Sequence, residues 1–261
     1  MVGDRVLAGE FGWGFCWVWL RNAHVWRRSW KTSLVGVIGE PLFYFVGLGY
    51  GLSTVIPEIE GRSYLDFVVP GLMLSSVMYS TTIEATYSVF TKMAHQKIYA
   101  SMVLAPLTFE EIVTGEMLWA VTKGMMSGAT VLLLALFFGI AAPWPGILAL
   151  ILLFFAGVIF ASLGMIVTSL ARGYESFNYY FTLVLSPMFF FSGVFYPVDG
   201  MGPWVEALVN FFPLAHLVPL ARALMYGQWC ASLWVEVFWL GGFALVFYLF
   251  ALRQMTRRFM P

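Results

Sequence analysis

Charge is scarce in this 261-residue chain, at 11% Asp, Glu, Lys and Arg, against about 25% in soluble globular domains. Hydrophobic residues make up 61% and aromatics 18%, and the mean hydropathy is +0.83. A water-soluble single-domain enzyme is therefore excluded, and so is a disordered chain. Fourteen Lys and Arg balance fourteen Asp and Glu, leaving no basic surplus to neutralise phosphates, which argues against a nucleic-acid partner. The two cysteines, Cys16 and Cys230, are far apart and form no CxxC or metal-ligand spacing, so they define no disulfide framework. His24, His95 and His216 are scattered and make no ligand cluster. A G-x-x-x-x-G-K-[ST] loop, an H-E-x-x-H and a G-x-S-x-G elbow are all missing. If transport here runs uphill, its energy enters through another protein.

What the chain does have is long apolar runs. A helix needs about 20 mostly apolar residues to cross a bilayer, and six stretches qualify: about 33–56, 67–90, 109–142, 147–170, 176–196 and 231–252. Pro143-Trp144-Pro145-Gly146 reads as an uncharged turn between the third and fourth. The N-terminal stretch, with Asp4, Arg5 and Glu10, does not read as a cleavable signal. An even number of spans puts both termini on one side. Eleven basic residues share that side: Arg5, Arg21, Arg27, Arg28, Lys31, Lys92, Lys97, Arg172, Arg253, Arg257 and Arg258. The other side holds only Arg62 and Arg222, and Lys123 is inside a span. The positive-inside rule makes the first side cytoplasmic.

Before the first span, helical spacing puts Arg21, His24, Arg28 and Lys31 on one face and Trp19, Trp26 and Trp30 opposite. Residues 13–31 are thus expected to form an amphipathic helix lying in the membrane interface, although Trp13 and Trp17 fall on the basic side. An anchor without mechanical role would look the same. After the second span, 92–107 reads as a short helix stopped by Pro106. Thr108-Phe109-Glu110-Glu111 then forms a capping box, with Leu107 and Ile112 at the staple positions.

Ionisable residues inside spans are functional hypotheses by default; here they are Glu40, Glu84, Glu116, Lys123 and Glu236. The spacing suggests a Glu84–Lys123–Glu116 cluster, either lining a pathway or neutralising itself as a structural lock. Glu40-Pro41 marks a local break in the first span, and Glu236 lies near the outer end of the last. Ser186-Pro187 is expected to break the fifth helix and Tyr196-Pro197 to end it. The apolar stretches of 197–228, too short to span, suggest a re-entrant pair on the outer side.

The layout resembles the membrane subunit of ABC-2 type exporters, and within them the permeases of nodulation-factor (lipo-chitooligosaccharide) exporters. The resemblance rests on Gly39-Glu40-Pro41-Leu42, Leu48-Gly49-Tyr50-Gly51-Leu52, Tyr64-Leu65-Asp66-Phe67 and Pro70-Gly71-Leu72. It continues through Glu84-Ala85-Thr86-Tyr87, Ala105-Pro106-Leu107-Thr108 and Gly115-Glu116. Ser186-Pro187, Ser192-Gly193-Val194-Phe195-Tyr196-Pro197, Phe212-Pro213-Leu214 and Arg222 complete it. Phe212 departs from the pattern, standing where relatives often have Asn.

The resemblance implies an all-α membrane domain over 1–261 that pairs with a second copy of itself and two copies of an ABC ATP-binding subunit. ATP and Mg would sit on that subunit, with no cofactor on this chain. Contact with the ATPase would map to Arg21, Arg27 and Arg28 and to Lys92, His95, Gln96, Lys97, Ile98 and Tyr99. Glu40, Glu84, Glu116, Lys123, Phe189 and Phe190 are the candidates for the substrate path, with Phe43, Tyr44, Phe45 and Phe191 as further aromatic wall. The expected activity is outward movement of an amphipathic glycolipid or lipid-linked saccharide across a bacterial inner membrane. A drug or antibiotic exporter, and an intramembrane acyl- or glycosyltransferase using Glu84 or Glu116 as base, remain open alternatives.

Overall fold

A computed structural model describes residues 12–59, 61–140, 143–198, 202, 204–205, 209–227 and 233–259. The described chain is helical apart from turns and one two-stranded hairpin, Glu58–Ile59 with Arg62–Ser63. The first helix, α1 (Gly14–Arg28), precedes α2 (Trp30–Phe43), which continues through π-helical turns at Tyr44–Tyr50 and on to Ser53. After the hairpin comes α3 (Tyr64–Ile83), prolonged by π turns at Glu84–Ser88 and Thr91–His95. A short α4 (Ile98–Val103) leads to the long α5 (Phe109–Phe137) and α6 (Pro143–Leu170). Then α7 (Glu175–Tyr180), π turns at Phe181–Leu185 and α8 (Ser186–Phe191) form one run. Helices α9 (Pro213–Tyr226) and α10 (Leu233–Phe259) finish the chain.

Four helices among the described residues are long and apolar enough to cross a membrane: Ser33–Ser53, Phe109–Phe137, Ala149–Leu170 and Trp234–Phe259. They coincide with the first, third, fourth and sixth expected spans. The second expected span is helical but richer in hydroxyls. Ser75 and Ser76 donate to the carbonyls of Gly71 and Leu72, four residues back, which satisfies them inside the helix. The helix also needs little lipid-compatible surface, because Phe67–Met78 are buried among neighbouring helices.

Several boundaries differ from expectation, each for a local reason. Pro41 and Pro187 do not stop their helices. Both lie within helical runs, with π turns after the first and before the second, widened turns being a common accommodation in helices. The fifth run ends at Phe191, before Tyr196-Pro197, and turns at Gly193 with φ +74°. Pro143, expected in a turn, instead starts α6, where a fixed φ and a missing N–H suit the first helical position. The last helix runs on to Phe259, with Arg257 and Arg258 in its final turn, where cations meet the negative end of the helix dipole. Much of the expected re-entrant segment lies outside the described residues, as do Arg5 and Cys230. The second of its apolar stretches forms the helix α9.

Without a hydrophobic drive between helices in lipid, packing depends on small residues and close approach. A Cβ on Gly164 of α6 would lie 2.8 Å from the Ala85 Cβ, and nearby Thr168 donates to the Ala85 carbonyl at 2.8 Å across the same contact. The aromatic rings of Tyr87, Phe90, Tyr174 and Phe177 close the end of this interface.

The capping box at α5 forms as its sequence dictates. Thr108 accepts from the Glu111 amide at 3.2 Å, and Glu111 accepts from the Thr108 amide at 2.9 Å. The same carboxylate accepts from the Gly12 and Gly14 amides at 2.8 and 3.0 Å, so one side chain caps two helices. Glu111→Ala is expected to lower the unfolding midpoint by more than a single cap, which is worth about 0.5–2 kcal/mol. A melting curve equal to wild type would refute the shared cap.

Candidate functional site

The α5 residues Glu111, Gly115, Trp119 and Thr122 recur at helical spacing and form one stripe. Helix α1 lies along that stripe. A Cβ on Gly115 would fall 2.5 Å from the Val18 Cβ and 2.7 Å from the Phe15 carbonyl oxygen, so only glycine allows this approach. Trp19 donates its indole N–H to the Thr122 hydroxyl at 2.9 Å. The rings of Trp19 and Trp26 meet Trp119 edge-on at 6.2 and 6.3 Å. The tryptophan face expected at the headgroups is thus turned onto α5. Only Trp30 of that face is exposed, along with Trp13 and Trp17 outside it.

The basic face also divides. His24, Arg27, Arg28 and Lys31 are exposed. Arg21 turns inward and donates to Glu116 at 2.9 Å and to the Asn22 side-chain oxygen at 2.7 Å. Lys92, at the end of the second run, donates to Glu116 at 2.7 Å and to Asn22 at 3.3 Å, and lies 3.5 Å from Glu84. Lys123 approaches the other Glu84 oxygen at 3.9 Å. Glu116 is 0% exposed and accepts one cation on each oxygen.

Glu84, Glu116 and Lys123 therefore share one network, but Lys123 is not the bridge between the carboxylates. Lys92 is. Lys123 stands two turns from Glu116, about 10.5 Å along the axis, whereas Lys92 arrives at Glu116's own level from the neighbouring run. Asn22 was not legible as a site residue. Its only signal was an uncharged amide beside Arg21 in a helix of Arg and Trp.

His95, Gln96 and Lys97 are exposed at the turn between the second run and α4. Lys97 holds a left-handed backbone at φ 53°, which costs a non-glycine residue about 1–2 kcal/mol. His95 is braced from behind, its ring parallel to Tyr174 at 5.3 Å. Ile98 is half-buried, and Tyr99 is fully buried against Phe109 and Phe259. Burial first, and then the nearby Glu116 charge, push the Tyr99 phenol well above its ordinary value. Tyr99 is an anchor for the turn, not a contact surface.

The remaining candidates lie apart from this network. Glu40 is exposed on α2 and hydrogen-bonded to Tyr44. Phe189 is buried between Tyr44 and Tyr79 at 5.7 and 5.5 Å, and Phe190 is exposed beside it. Phe43 and Phe191 are also exposed, and Phe45 is buried. Among the described residues, no three His, Cys, Asp or Glu side chains gather as a metal site.

The described residues form a bundle of lipid-compatible helices with an ion-paired helix laid against one end. Residues 14–226 match the ABC-2 type transporter family, and the chain belongs to it. It is 36% identical over 244 residues to Nodulation protein J of Rhizobium leguminosarum bv. viciae, covering 93% of this chain and 94% of that one. Nodulation protein J of Rhizobium meliloti (strain 1021) is 34% identical over 251 residues, with 96% and 95% covered. The inner membrane transport permease YadH of Escherichia coli (strain K12) is 25% identical over 201 residues, with 77% and 78% covered. The chain is a multi-pass membrane protein and a transport subunit, not itself a catalyst.

Proposed function

We propose that this chain is the permease half of an ATP-driven exporter that moves an amphipathic glycolipid of the lipo-chitooligosaccharide type outward. Two copies would pair in a bacterial inner membrane above two ATP-binding subunits. In this reading α3 and the α7–α8 run complete a set of six spans, both termini are cytoplasmic, and α9 belongs to a re-entrant outer segment. What carries the cargo assignment is the similarity, over nearly the whole of both chains, to nodulation proteins.

The ion-paired clamp supports the mechanical part. A motor pressing on α1 and the His95–Lys97 turn would meet surfaces tied to the same buried carboxylate, through Arg21 on one side and Lys92 on the other. Displacement of either would be transmitted to α5 instead of being absorbed by a loose loop. Glu40, exposed on the first expected span and hydrogen-bonded to Tyr44, would in this reading face a pathway between two copies.

The test is reconstitution with the cognate ATPase in inside-out vesicles, following uptake of a labelled lipo-chitooligosaccharide. ATP-dependent accumulation is expected. Accumulation by this chain alone, or none with the complete complex, would end the proposal. Lys97→Gly removes the exposed charge while relieving the left-handed strain. It is expected to keep or raise thermal stability and to lower transport per ATP hydrolysed about tenfold; unchanged coupling would remove the turn from the motor contact.

A further inference from the structure

Helix α10 exposes Leu245, Val246, Leu249 and Phe250 along its middle, as a lipid-facing span should, but one face of its last turns is buried in the protein. Ala251 and Met255 are 0% exposed. With Tyr248 and Phe259 they recur at three- and four-residue spacing and form one stripe. That stripe lies against α5: the Tyr248 and Thr114 hydroxyls are 2.8 Å apart, and the Phe259 ring stacks on Phe109 at 5.0 Å. The arginines that follow the apolar run need only water or headgroups to serve as positive-inside markers. Arg258 does more: it donates to the Thr168 carbonyl of α6 and covers the Phe90 ring at 5.7 Å.

Two consecutive residues of the final turn of α10 thus hold the His95–Lys97 turn from both sides. On the side that precedes it in the chain, Phe90 carries Arg258 and meets the His95 ring edge-on at 5.9 Å. On the side that follows, the buried Tyr99 is enclosed by Phe259 at 6.0 Å and Phe109 at 6.2 Å. The segment between has little to hold it by itself. Its Lys97 backbone is left-handed, and α4 after it has six residues, where a helix needs about 12 to persist alone. Such a segment takes its position from what it packs on.

We infer that the final turn of α10 sets the position of the His95–Lys97 turn, with Phe259 and Arg258 as positioning residues. Phe259 acts through Tyr99, and Arg258 through Phe90 and His95. The motor-contact reading above supplies only the consequence for transport; the placement of the turn stands on these contacts alone. A turn that has lost its seat would yield under a motor's push before Lys92 and Glu116 were moved, so ATP would be hydrolysed with less transport.

The experiment is hydrogen–deuterium exchange, followed by mass spectrometry, on the full complex in nanodiscs, with transport per ATP hydrolysed measured on the same preparations. Phe259→Ala is expected to speed exchange severalfold in peptides covering 96–103, to leave the middle of α5 and α6 unchanged, and to lower transport per ATP severalfold. Phe259→Tyr, which keeps the ring, is expected to restore both. A general loss of stability would instead speed exchange throughout the bundle. If Phe259→Ala does not fold, Phe259→Leu takes its place, keeping bulk but no ring to stack on Phe109. Wild-type exchange at 96–103 in a folded variant, or a rise shared equally by α5 and α6, would overturn the inference. A local rise with unchanged transport per ATP would leave the placement standing and remove the motor contact.

Discussion

Replacing Glu116 with alanine is expected to destabilise the protein by about 3–5 kcal/mol, the usual consequence of removing one partner of a buried ion pair. Among the described residues, Arg21 and Lys92 would be left side by side with Asn22, the Met102 sulfur and the more distant Glu84 to accept from them. A lowered thermal midpoint in detergent and loss of ATP-driven transport are the readouts; a wild-type midpoint would refute the clamp. Glu84→Gln should cost much less, since its contacts are 3.5 and 3.9 Å. Arg21→Met, Lys92→Met and Glu116→Leu combined separates stability from mechanics. Apolar replacement of a buried ion triad is often neutral for stability, and Glu84 keeps Lys123 as its partner, so the midpoint should recover. Transport should not recover, because the directional ties between α1, the second run and α5 are gone. Recovery of both would reduce the network to a structural lock.

Gly115→Ala is the second large effect. The added methyl would lie 2.7 Å from the Phe15 backbone oxygen, and a backbone atom within a helix cannot step aside alone. Overpacking of this kind costs about 1–3 kcal/mol, and the simplest relief is for α1 to lift from α5. Cys16, a half-buried free thiol on α1, reports such movement. In a Cys230→Ser background its maleimide labelling should rise severalfold, transport should fall sharply, and the remaining helices should keep their circular dichroism. Labelling and transport at wild-type levels would show that α1 does not need to sit this closely.

How much was legible depended on how local each interaction is. The capping box at Thr108 and Glu111 spans three residues, and it formed as read. Of the six long apolar runs, four form helices long and apolar enough to cross a bilayer among the described residues, since length and composition fix what can cross. The breaks expected at Pro41 and Pro187 do not occur, because a missing N–H is a local loss that a widened turn and packed neighbours can absorb. The amphipathic pattern of α1 is a property of its own residues, but the identity of what its tryptophans cover is a property of α5.

The sequence by itself determined that this is a helical membrane protein lacking a nucleotide-binding loop, because hydropathy and motif content need no knowledge of contacts. Only the tertiary structure decided the pairing of its charges. Arg21 and Glu116 are 95 residues apart, and helical spacing within α5 favoured Lys123 as the bridging cation. Which ammonium meets a buried carboxylate is set by where two helices come level, and that depends on Gly115 letting α1 approach and on the second run carrying Lys92 down to the same depth.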